Sequence, residues 1–262
     1  MKRFRGYIFD LDGTIYRGPE LIPGARETIE WLRGEGAGCV FLSNKAIQTR
    51  DTYAEKLNRL GIPVELDDVI NSSLVTVSYL AEHETDARIF VIGEAPLIDE
   101  LTTAGIQMAA SPEETDIVVI SFDRTFHYGK LDFAYNAIMQ GARVVATNAD
   151  KTCPVEDGIE LPDAASIIGA LKAITGKGPE RVLGKPSTLI LEVACRRLGL
   201  RPEDCVMIGD RLETDMVMGR EAGMGTALVL TGVTGRNDLD KVEAKPDYIL
   251  NSVADIMESK AT

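Results

Sequence analysis

Short, continuously apolar runs alternate with segments of helical spacing along nearly all of the chain's 262 residues. The strand-like runs near its two ends are 7–9, 39–42, 206–208, 227–230 and Tyr248–Leu250. Between them, apolar residues recur every three or four positions, as in Leu191, Ala194 and Leu198. Strands that are apolar throughout and separated by helices predict a parallel sheet that is covered on both faces. We therefore expect an α/β protein with a doubly wound, Rossmann-like core.

The middle of the chain repeats this rhythm independently. Its strand candidates are 89–92, 117–121 and 144–147, and its helix candidates are 97–104, 130–140 and Ala164–Thr175. Turn-rich stretches at 83–87 and 176–179 bracket these segments. The sequence thus predicts a core formed by residues 1–80 and 179–262, with a smaller α/β domain of residues 81–178 inserted into it.

Charge and composition exclude several classes of protein. The formal net charge of −13 argues against nucleic acid and anionic membranes as partners, because an acidic surface repels polyanions. No apolar run has membrane-spanning length and none resembles a signal peptide, so we expect a cytoplasmic protein. Only two histidines are present, which argues against a catalytic triad or a histidine-rich zinc site. Three cysteines lie in apolar segments, whereas Cys153 lies in a polar stretch and is expected to be exposed.

The first strand ends in a motif with two carboxylates, Asp10-Leu11-Asp12-Gly13-Thr14. Residues i and i+2 of an extended chain point the same way, about 6.6 Å apart, so both carboxylates can face one site. In open parallel sheets, ligands bind at the edge formed by the strands' carboxyl ends. A solvated acidic turn is the alternative interpretation. An EF-hand calcium loop does not fit, because Ile15 and Leu21 occupy the positions that require glycine and glutamate.

Two further motifs bear groups that can bind a phosphoryl oxygen. Ser43-Asn44 ends the second strand, where a hydroxyl can donate a hydrogen bond or simply cap a turn. Lys185, within Gly184-Lys185-Pro186, precedes a helix whose first N–H groups form an anion site. This is not an ATP-binding P-loop, because prolines stand at 179 and 186 where glycine and a hydroxyl residue are needed. An exposed lysine is the alternative for the second motif.

A fourth motif, Gly209-Asp210-Arg211-Leu212-Glu213-Thr214-Asp215, again closes a strand. Asp210 can reach the same sheet edge as Asp10, and Asp215 lies about one turn into the next helix, from which it can face back. One acidic pair means little in a chain with 41 acidic residues. The order of the four motifs is far more specific than any one of them.

In this order the motifs resemble those of the haloacid dehalogenase-like (HAD) hydrolase superfamily, and within it subfamily IIA, the NagD-like or p-nitrophenyl phosphatase-like enzymes. The resemblance is carried by FDLDGTIYRG (9–18), FLSN (41–44), ATNADKTCP (146–154), GKP (184–186) and GDRLETD (209–215). One departure is notable, since many relatives have Thr-Asn-Asn where this chain has Ser43-Asn44-Lys45. This variant is similar to a branch of sugar-phosphate phosphatases, and Lys45 is expected to alter substrate choice.

The resemblance implies a Mg²⁺-dependent phosphatase of small phosphomonoesters, such as sugar phosphates, p-nitrophenyl phosphate and nucleoside monophosphates. Asp10 is then the nucleophile that forms an aspartyl-phosphate, and Asp12 is the general acid and base. Ser43 and Lys185 bind the phosphoryl group. The implied metal ligands are Asp10, Asp12 through its backbone carbonyl, Asp210 and Asp215.

The resemblance also gives the inserted domain a function, as a cap that closes over the site and contacts the leaving group. Its implied substrate-binding residues are Asn148 and Asp150, with Asn44 and Lys45 from the second motif; a strand-end turn is the alternative for the first pair. The implied partner is a small phosphorylated metabolite, and NagD-like relatives often associate into homo-oligomers. Two other functions use the same residues. One is a phosphotransferase or mutase, and the other is a non-catalytic protein that binds phosphorylated metabolites.

Overall fold

The computed structural model describes residues 1–154, 159–241 and 245–258 of the chain, which divides into two compact units. The first unit comprises residues 1–43, 50–70 and 186–262, and the second comprises residues 44–49 and 71–185. The predicted insertion, 81–178, is therefore shorter at both ends than the second unit. The segment 44–49, which follows a strand of the first unit, also groups with the second.

A six-stranded sheet in the order β15-β14-β13-β1-β4-β5 forms the centre of the first unit. Its strands are β1 (Gly6–Asp10), β4 (Gly38–Ser43), β5 (Val69–Asn71), β13 (Cys205–Gly209), β14 (Gly225–Val229) and β15 (Tyr248–Leu250). The four pairings from β15 to β4 are parallel. Nearly every residue of β1, β4 and β13 is buried, which explains why these strands are apolar throughout.

The direction of winding changes at β1. From β1 the chain proceeds to β4 and β5 on one side, and later returns to β13, β14 and β15 on the other. The crevice at the carboxyl ends of β1 and β13 is therefore a topological switch point, where α/β sheets bind their ligands. Asp10 ends β1 and Asp210 directly follows β13, so the fold brings both to this crevice.

Helices and one hairpin complete the first unit. They are β2 (Tyr16–Arg17), β3 (Glu20–Leu21), α1 (Ala25–Gly34), α2 (Arg50–Arg59), α7 (Leu189–Leu198), α8 (Val217–Glu221) and α9 (Asp255–Glu258). The buried residues of α1 recur at helical spacing, since Ala25, Thr28, Ile29 and Leu32 lie on one face. That face joins a core of β1, β4 and α2 side chains.

The second unit contains a five-stranded parallel sheet in the order β12-β9-β8-β6-β7. Its elements are α3 (Ser72–His83), β6 (Arg88–Ile92), α4 (Ala95–Thr103), β7 (Gln107–Met108), β8 (Ile117–Ile120), α5 (Tyr128–Met139), β9 (Arg143–Ala146), β10 (Thr152–Pro154), β11 (Glu160–Pro162), α6 (Ala164–Thr175) and β12 (Arg181–Val182). Helix α3 packs against α4, and α5 packs against α6. The prediction of an α/β chain with a parallel-sheet core and a smaller inserted α/β domain is confirmed.

The burial of Cys153 differs from the expectation. The expectation that Cys153 is exposed is wrong, because it is 1% exposed. The antiparallel strands β10 and β11 pair Cys153 with Leu161, and the thiol is buried, so a polar neighbourhood in sequence did not indicate exposure.

None of the described helices combines the length and the apolar composition that crossing a bilayer requires.

Candidate active site

Three carboxylates converge at the switch point of the first unit. Oxygen atoms of Asp10, Asp210 and Asp215 lie within 4.8 Å of one another, and Asp210 and Asp215 are each 1% exposed. Two like charges about 4 Å apart repel each other by roughly 4 kcal/mol at an effective dielectric constant of 20. A site of oxygen donors only, with this concentration of negative charge, fits a hard divalent cation such as Mg²⁺.

Asp12 lies beside this group but is not one of its three members. The chain turns immediately after β1, where the N–H groups of Thr14 and Ile15 donate to the carbonyl oxygen of Leu11. Asp12 then bridges to Tyr16 at the start of the β2–β3 hairpin. Asp12 therefore lies in a hydrogen-bonded turn directly after the strand that bears Asp10, and it is partly exposed.

Asp215 reaches the group from an unusual helical turn. Residues Leu212–Met216 form a π-helical turn, a feature that often occurs at functional sites. The N–H of Arg211 donates to Oδ2 of Asp215 over 3.2 Å. A Cβ atom at Gly209 would overlap the Asp215 carboxylate, so only glycine at the end of β13 lets this side chain fold back.

Ser43 ends β4 and is buried in the first unit. Its hydroxyl donates to the phenolic oxygen of Tyr53, on α2, over 3.2 Å. Tyr53 in turn lies near Tyr16, whose pKa is raised chiefly by burial and further by the charges of Asp12 and Asp10. This contact was not predicted from the sequence, because a hydroxyl on the apolar face of a helix does not reveal its partner.

A separate hydrogen-bonded group lies within the second unit, around Asn44. Its Nδ2 donates to Oδ2 of Asp150 over 2.7 Å and to the carbonyl oxygen of Lys185 over 3.3 Å. Its Oδ1 accepts the N–H of Lys185 over 2.8 Å. A Cβ at Gly184 would overlap this Oδ1. Asn44 thereby fixes the backbone that carries Lys185, whose side chain is 4% exposed.

The remaining predicted residues of the second unit meet at Asp163, which the sequence analysis did not single out. Nδ2 of Asn148 lies 3.3 Å from Oδ2 of Asp150 and 3.3 Å from Oδ1 of Asp163. The pKa of Asp163 is raised to about 6, chiefly by burial and also by the charge of Asp150, although hydrogen bonds from the N–H of Ala164 and from Asn148 and the charge of Lys45 act to lower it. Asp163 also caps α6, and an aspartate before a helix is usually interpreted as a cap alone.

The raised pKa of Asp163 makes stability depend on pH. Between about pH 4 and 6 the folded state binds more protons than the unfolded state, so stability falls as the pH rises through that window, by about 3 kcal/mol at most. Asparagine does not titrate, so in Asp163→Asn the free energy of unfolding should vary less with pH over this window. Urea unfolding of both proteins at several pH values measures the difference. An identical pH dependence in the variant would show that Asp163 is not responsible.

The ten predicted site residues thus fall into two sets, one in each unit. The first unit brings together Asp10, Asp12, Ser43, Asp210 and Asp215. The second contains Asn44, Lys45, Asn148, Asp150 and Lys185. Within each set, the predicted neighbours lie on adjoining strand ends and loops.

A surface cavity of about 490 Å³ lies elsewhere in the first unit, at the amino-terminal end of β4. Its lining includes Arg33, Cys39, Asp68 and Arg197. Asp68 lies 3.6 Å from Arg33 and 3.0 Å from Arg197, so these charges bind one another. Ser43 is at the opposite end of the same strand, and the cavity therefore has no part in the acidic site.

Comparison with known proteins agrees with this geometry. A family model described as "Haloacid dehalogenase-like hydrolase" matches residues 7–107, and another, "HAD-hyrolase-like", matches residues 182–256. The chain is also 43% identical over 251 residues to sugar-phosphatase AraL of Bacillus subtilis, with 96% of this chain and 91% of AraL covered. The chain belongs to the haloacid dehalogenase-like hydrolases. It is therefore an enzyme of the hydrolase class.

Solved structures of this family place the chain among its NagD-like members. The p-nitrophenyl phosphatase from Archaeoglobus fulgidus superposes with a TM-score of 0.92 at 35% identity, covering 99% of this chain and 100% of that one. NagD from Escherichia coli K-12 superposes with a TM-score of 0.88 at 29% identity, covering 97% and 98%. The resemblance seen in the sequence motifs is confirmed, and AraL and the A. fulgidus relative of this HAD hydrolase are both named as phosphatases.

Proposed function

We propose that this HAD hydrolase is a Mg²⁺-dependent phosphatase of small phosphomonoesters, with sugar phosphates as the favoured class and Asp10 as the nucleophile. One observation carries the proposal, namely the convergence of Asp10, Asp210 and Asp215 at the switch point of a parallel sheet. The name of AraL as a sugar phosphatase supports the substrate class, and that of the A. fulgidus enzyme supports p-nitrophenyl phosphate as a probe.

The chemistry proceeds in two displacements at phosphorus. In the first, a carboxylate oxygen of Asp10 attacks phosphorus, the ester P–O bond breaks, and Asp12 gives its proton to the departing alkoxide. In the second, Asp12 takes a proton from water as the water oxygen attacks the same phosphorus. The acyl-phosphate bond then breaks, which releases inorganic phosphate and regenerates the Asp10 carboxylate.

Electrostatics determine what else the site must supply. An anionic Asp10 about 4 Å from a phosphate dianion faces roughly 8 kcal/mol of repulsion at an effective dielectric constant of 20. Uncompensated, that repulsion would slow attack by about six powers of ten. A bound Mg²⁺ supplies the positive charge that offsets it, held by Asp10, Asp210, Asp215 and the backbone carbonyl of Asp12.

The phosphoryl oxygens need donors as well as charge. We assign Ser43 and Lys185 to them, the first as a hydroxyl donor and the second as a cation. The bond from Ser43 to Tyr53 and the bonds from Asn44 to the backbone of Lys185 limit the freedom of both residues. A donor that is already restrained loses less conformational entropy when substrate binds. The phosphoryl group is therefore held in the geometry that the reaction requires.

We assign recognition of the leaving group to Asn44, Lys45, Asn148 and Asp150. Amide and carboxylate groups of this kind donate to and accept from sugar hydroxyls. Asn44 and Asp150 already bond each other, so they contribute chiefly by orienting the segment. Lys45 adds a cation that favours substrates with acceptors beyond the phosphate itself.

Removal of the metal tests the proposal directly. Protein treated with EDTA and then dialysed should release no phosphate from p-nitrophenyl phosphate or from sugar phosphates, and added Mg²⁺ should restore the activity. A panel that includes nucleoside monophosphates, compared by kcat/KM, identifies the preferred class. Full turnover in the metal-free protein would contradict the proposal, as would the absence of turnover on every phosphomonoester tested.

A further inference from the structure

We propose that residues 231–234, here called the 231–234 loop, position the Asp210 carboxylate and thereby set the affinity of the acidic site for its divalent cation. The loop follows β14 and has the sequence Thr-Gly-Val-Thr. The inference rests on the proposed function, because it concerns the cation held by Asp10, Asp210 and Asp215. It assigns a positioning role to residues that contribute no ligand themselves.

Two neighbouring backbone amides of the loop bond to Asp210. The N–H of Val233 donates to Oδ2 of the carboxylate over 2.6 Å, and the N–H of Thr234 donates to the main-chain oxygen of Asp210 over 3.1 Å. One bond holds the side chain and the other holds the backbone from which it projects. Together they fix the plane of the carboxylate, and the bond to Oδ2 is of the stronger, charge-assisted kind.

Gly232 brings the loop backbone directly against the carboxylate. A Cβ atom at this position would overlap Oδ2 and Cγ of Asp210 and lie 2.5 Å from its Cβ. These atoms belong to a side chain that is 1% exposed, so it has little room to move aside. Any residue larger than glycine must push the carboxylate or the loop out of place.

The loop is also attached to the segment that follows Asp12. Oγ1 of Thr231 donates to the carbonyl oxygen of Gly13 over 2.6 Å, and Nε of Arg17 donates to the carbonyl oxygen of Thr231 over 2.5 Å. Gly13 has a φ of 85°, and a Cβ there would lie 2.9 Å from Cα of Gly232. The loop therefore links the strand end that bears Asp10 to the strand end that bears Asp210.

The loop contacts Asp210 through backbone N–H groups, so the side chain of Val233 is not needed for this contact. The Val233 side chain is 65% exposed, although the backbone N–H of this residue donates to Oδ2 of Asp210 over 2.6 Å. The residues that determine the position of Asp210 are therefore Gly232, by its lack of a Cβ, and Thr231, by its hydroxyl.

Gly232→Ala is the direct test, and Gly235→Ala is its matched control. A Cβ at Gly235, three residues along the chain, would make only an ordinary contact, 3.5 Å from Oδ2 of Asp238. Titration calorimetry of the metal-free proteins with Mg²⁺ measures affinity without any turnover. We expect Gly232→Ala to weaken binding by about 10- to 100-fold, the range seen when a group that orients a metal ligand is lost. We expect Gly235→Ala to bind within about twofold of wild type, since its Cβ displaces nothing.

Thr231→Val and Thr231→Ser keep the test decisive if Gly232→Ala does not fold. Valine keeps the shape of threonine but cannot donate to Gly13, whereas serine retains the hydroxyl. Weaker Mg²⁺ binding in Thr231→Val that is restored in Thr231→Ser supports the proposal, provided that the metal-free proteins melt at similar temperatures.

The outcomes separate this inference from the proposed function. If wild type binds Mg²⁺ and every folded loop variant binds it equally well, the 231–234 loop does not position Asp210 and only this inference fails. If wild-type protein binds no Mg²⁺ at all, the metal-dependent function fails and the inference fails with it.

Discussion

Asp10→Asn is expected to lower phosphatase activity by about 10⁴-fold or more, because an amide cannot replace the carboxylate nucleophile. The folded protein should survive the change. Asparagine has nearly the same shape, and a neutral side chain relieves repulsion among three carboxylates that lie within 4.8 Å of one another. The melting temperature without Mg²⁺ should therefore not fall. Steady-state kinetics with p-nitrophenyl phosphate and a sugar phosphate measure the first effect, and calorimetry measures the second.

Asp51→Asn is a suitable control, since Asp51 is an exposed aspartate on α2 in the same unit. It should retain wild-type activity, because its carboxylate lies outside the acidic site. Substantial activity in Asp10→Asn would mean that another group attacks phosphorus. A collapse of the melting temperature would mean that the carboxylate has a structural role that the proposed mechanism does not include.

Asp12→Asn should have an effect that depends on the leaving group. A sugar alkoxide is a strong base and needs a proton as it departs, so turnover of a sugar phosphate should fall by about 10²- to 10⁴-fold. p-Nitrophenolate leaves without this help, so its release should remain fast in the first displacement. The second displacement still lacks a base. A stopped-flow trace should then show a burst of p-nitrophenolate close to one equivalent, followed by slow turnover.

Equal losses in the first step for both substrates would contradict the assignment of Asp12 as the acid. Linear release of p-nitrophenolate at a reduced rate, with no burst, would contradict its assignment as the base of the second step. The two observations therefore test the two roles separately.

The buried strands and the acidic motifs could be predicted because their physical signal is local. A strand covered on both faces is apolar along its buried length, as in β1 and β13, and an aspartate of the acidic site ends β1 and directly follows β13. Parallel strands align their carboxyl ends, so the order of motifs along the chain was enough to predict that Asp10 and Asp210 meet. Its position about one turn into the next helix indicated that Asp215 can face back, and the resemblance to the HAD superfamily implied its place among the metal ligands.

Helix α3 was not predicted, and its composition explains why. Ser72, Ser73 and Thr76 are among its buried residues, so the apolar periodicity that marks other helices is faint. The hydroxyl of Thr76 donates to the carbonyl oxygen of Ser72, within the helix itself. Asn71 caps the helix by accepting the N–H of Leu74. Burial of satisfied hydroxyls is a tertiary property, which periodicity in sequence does not report.

The 231–234 loop was missed for a different reason. Its sequence is typical of a turn, and its function depends on backbone N–H groups that every residue except proline has. Only the distance between Gly232 and Asp210 shows why glycine is required. Asn44 was predicted as a site residue, but its contact with Lys185 was not, because that contact joins residues that are 141 positions apart.

Detection of the covalent intermediate tests the central claim most directly. Asp12→Asn protein mixed with Mg²⁺ and p-nitrophenyl phosphate, quenched in acid during the burst and digested at low pH, can be mapped by mass spectrometry. The mechanism predicts one phosphoryl group on the peptide that contains Asp10, and none after the same treatment of the double variant Asp10→Asn/Asp12→Asn. A phosphoryl group on any other residue, or a burst without a phosphorylated peptide, would contradict nucleophilic attack by Asp10.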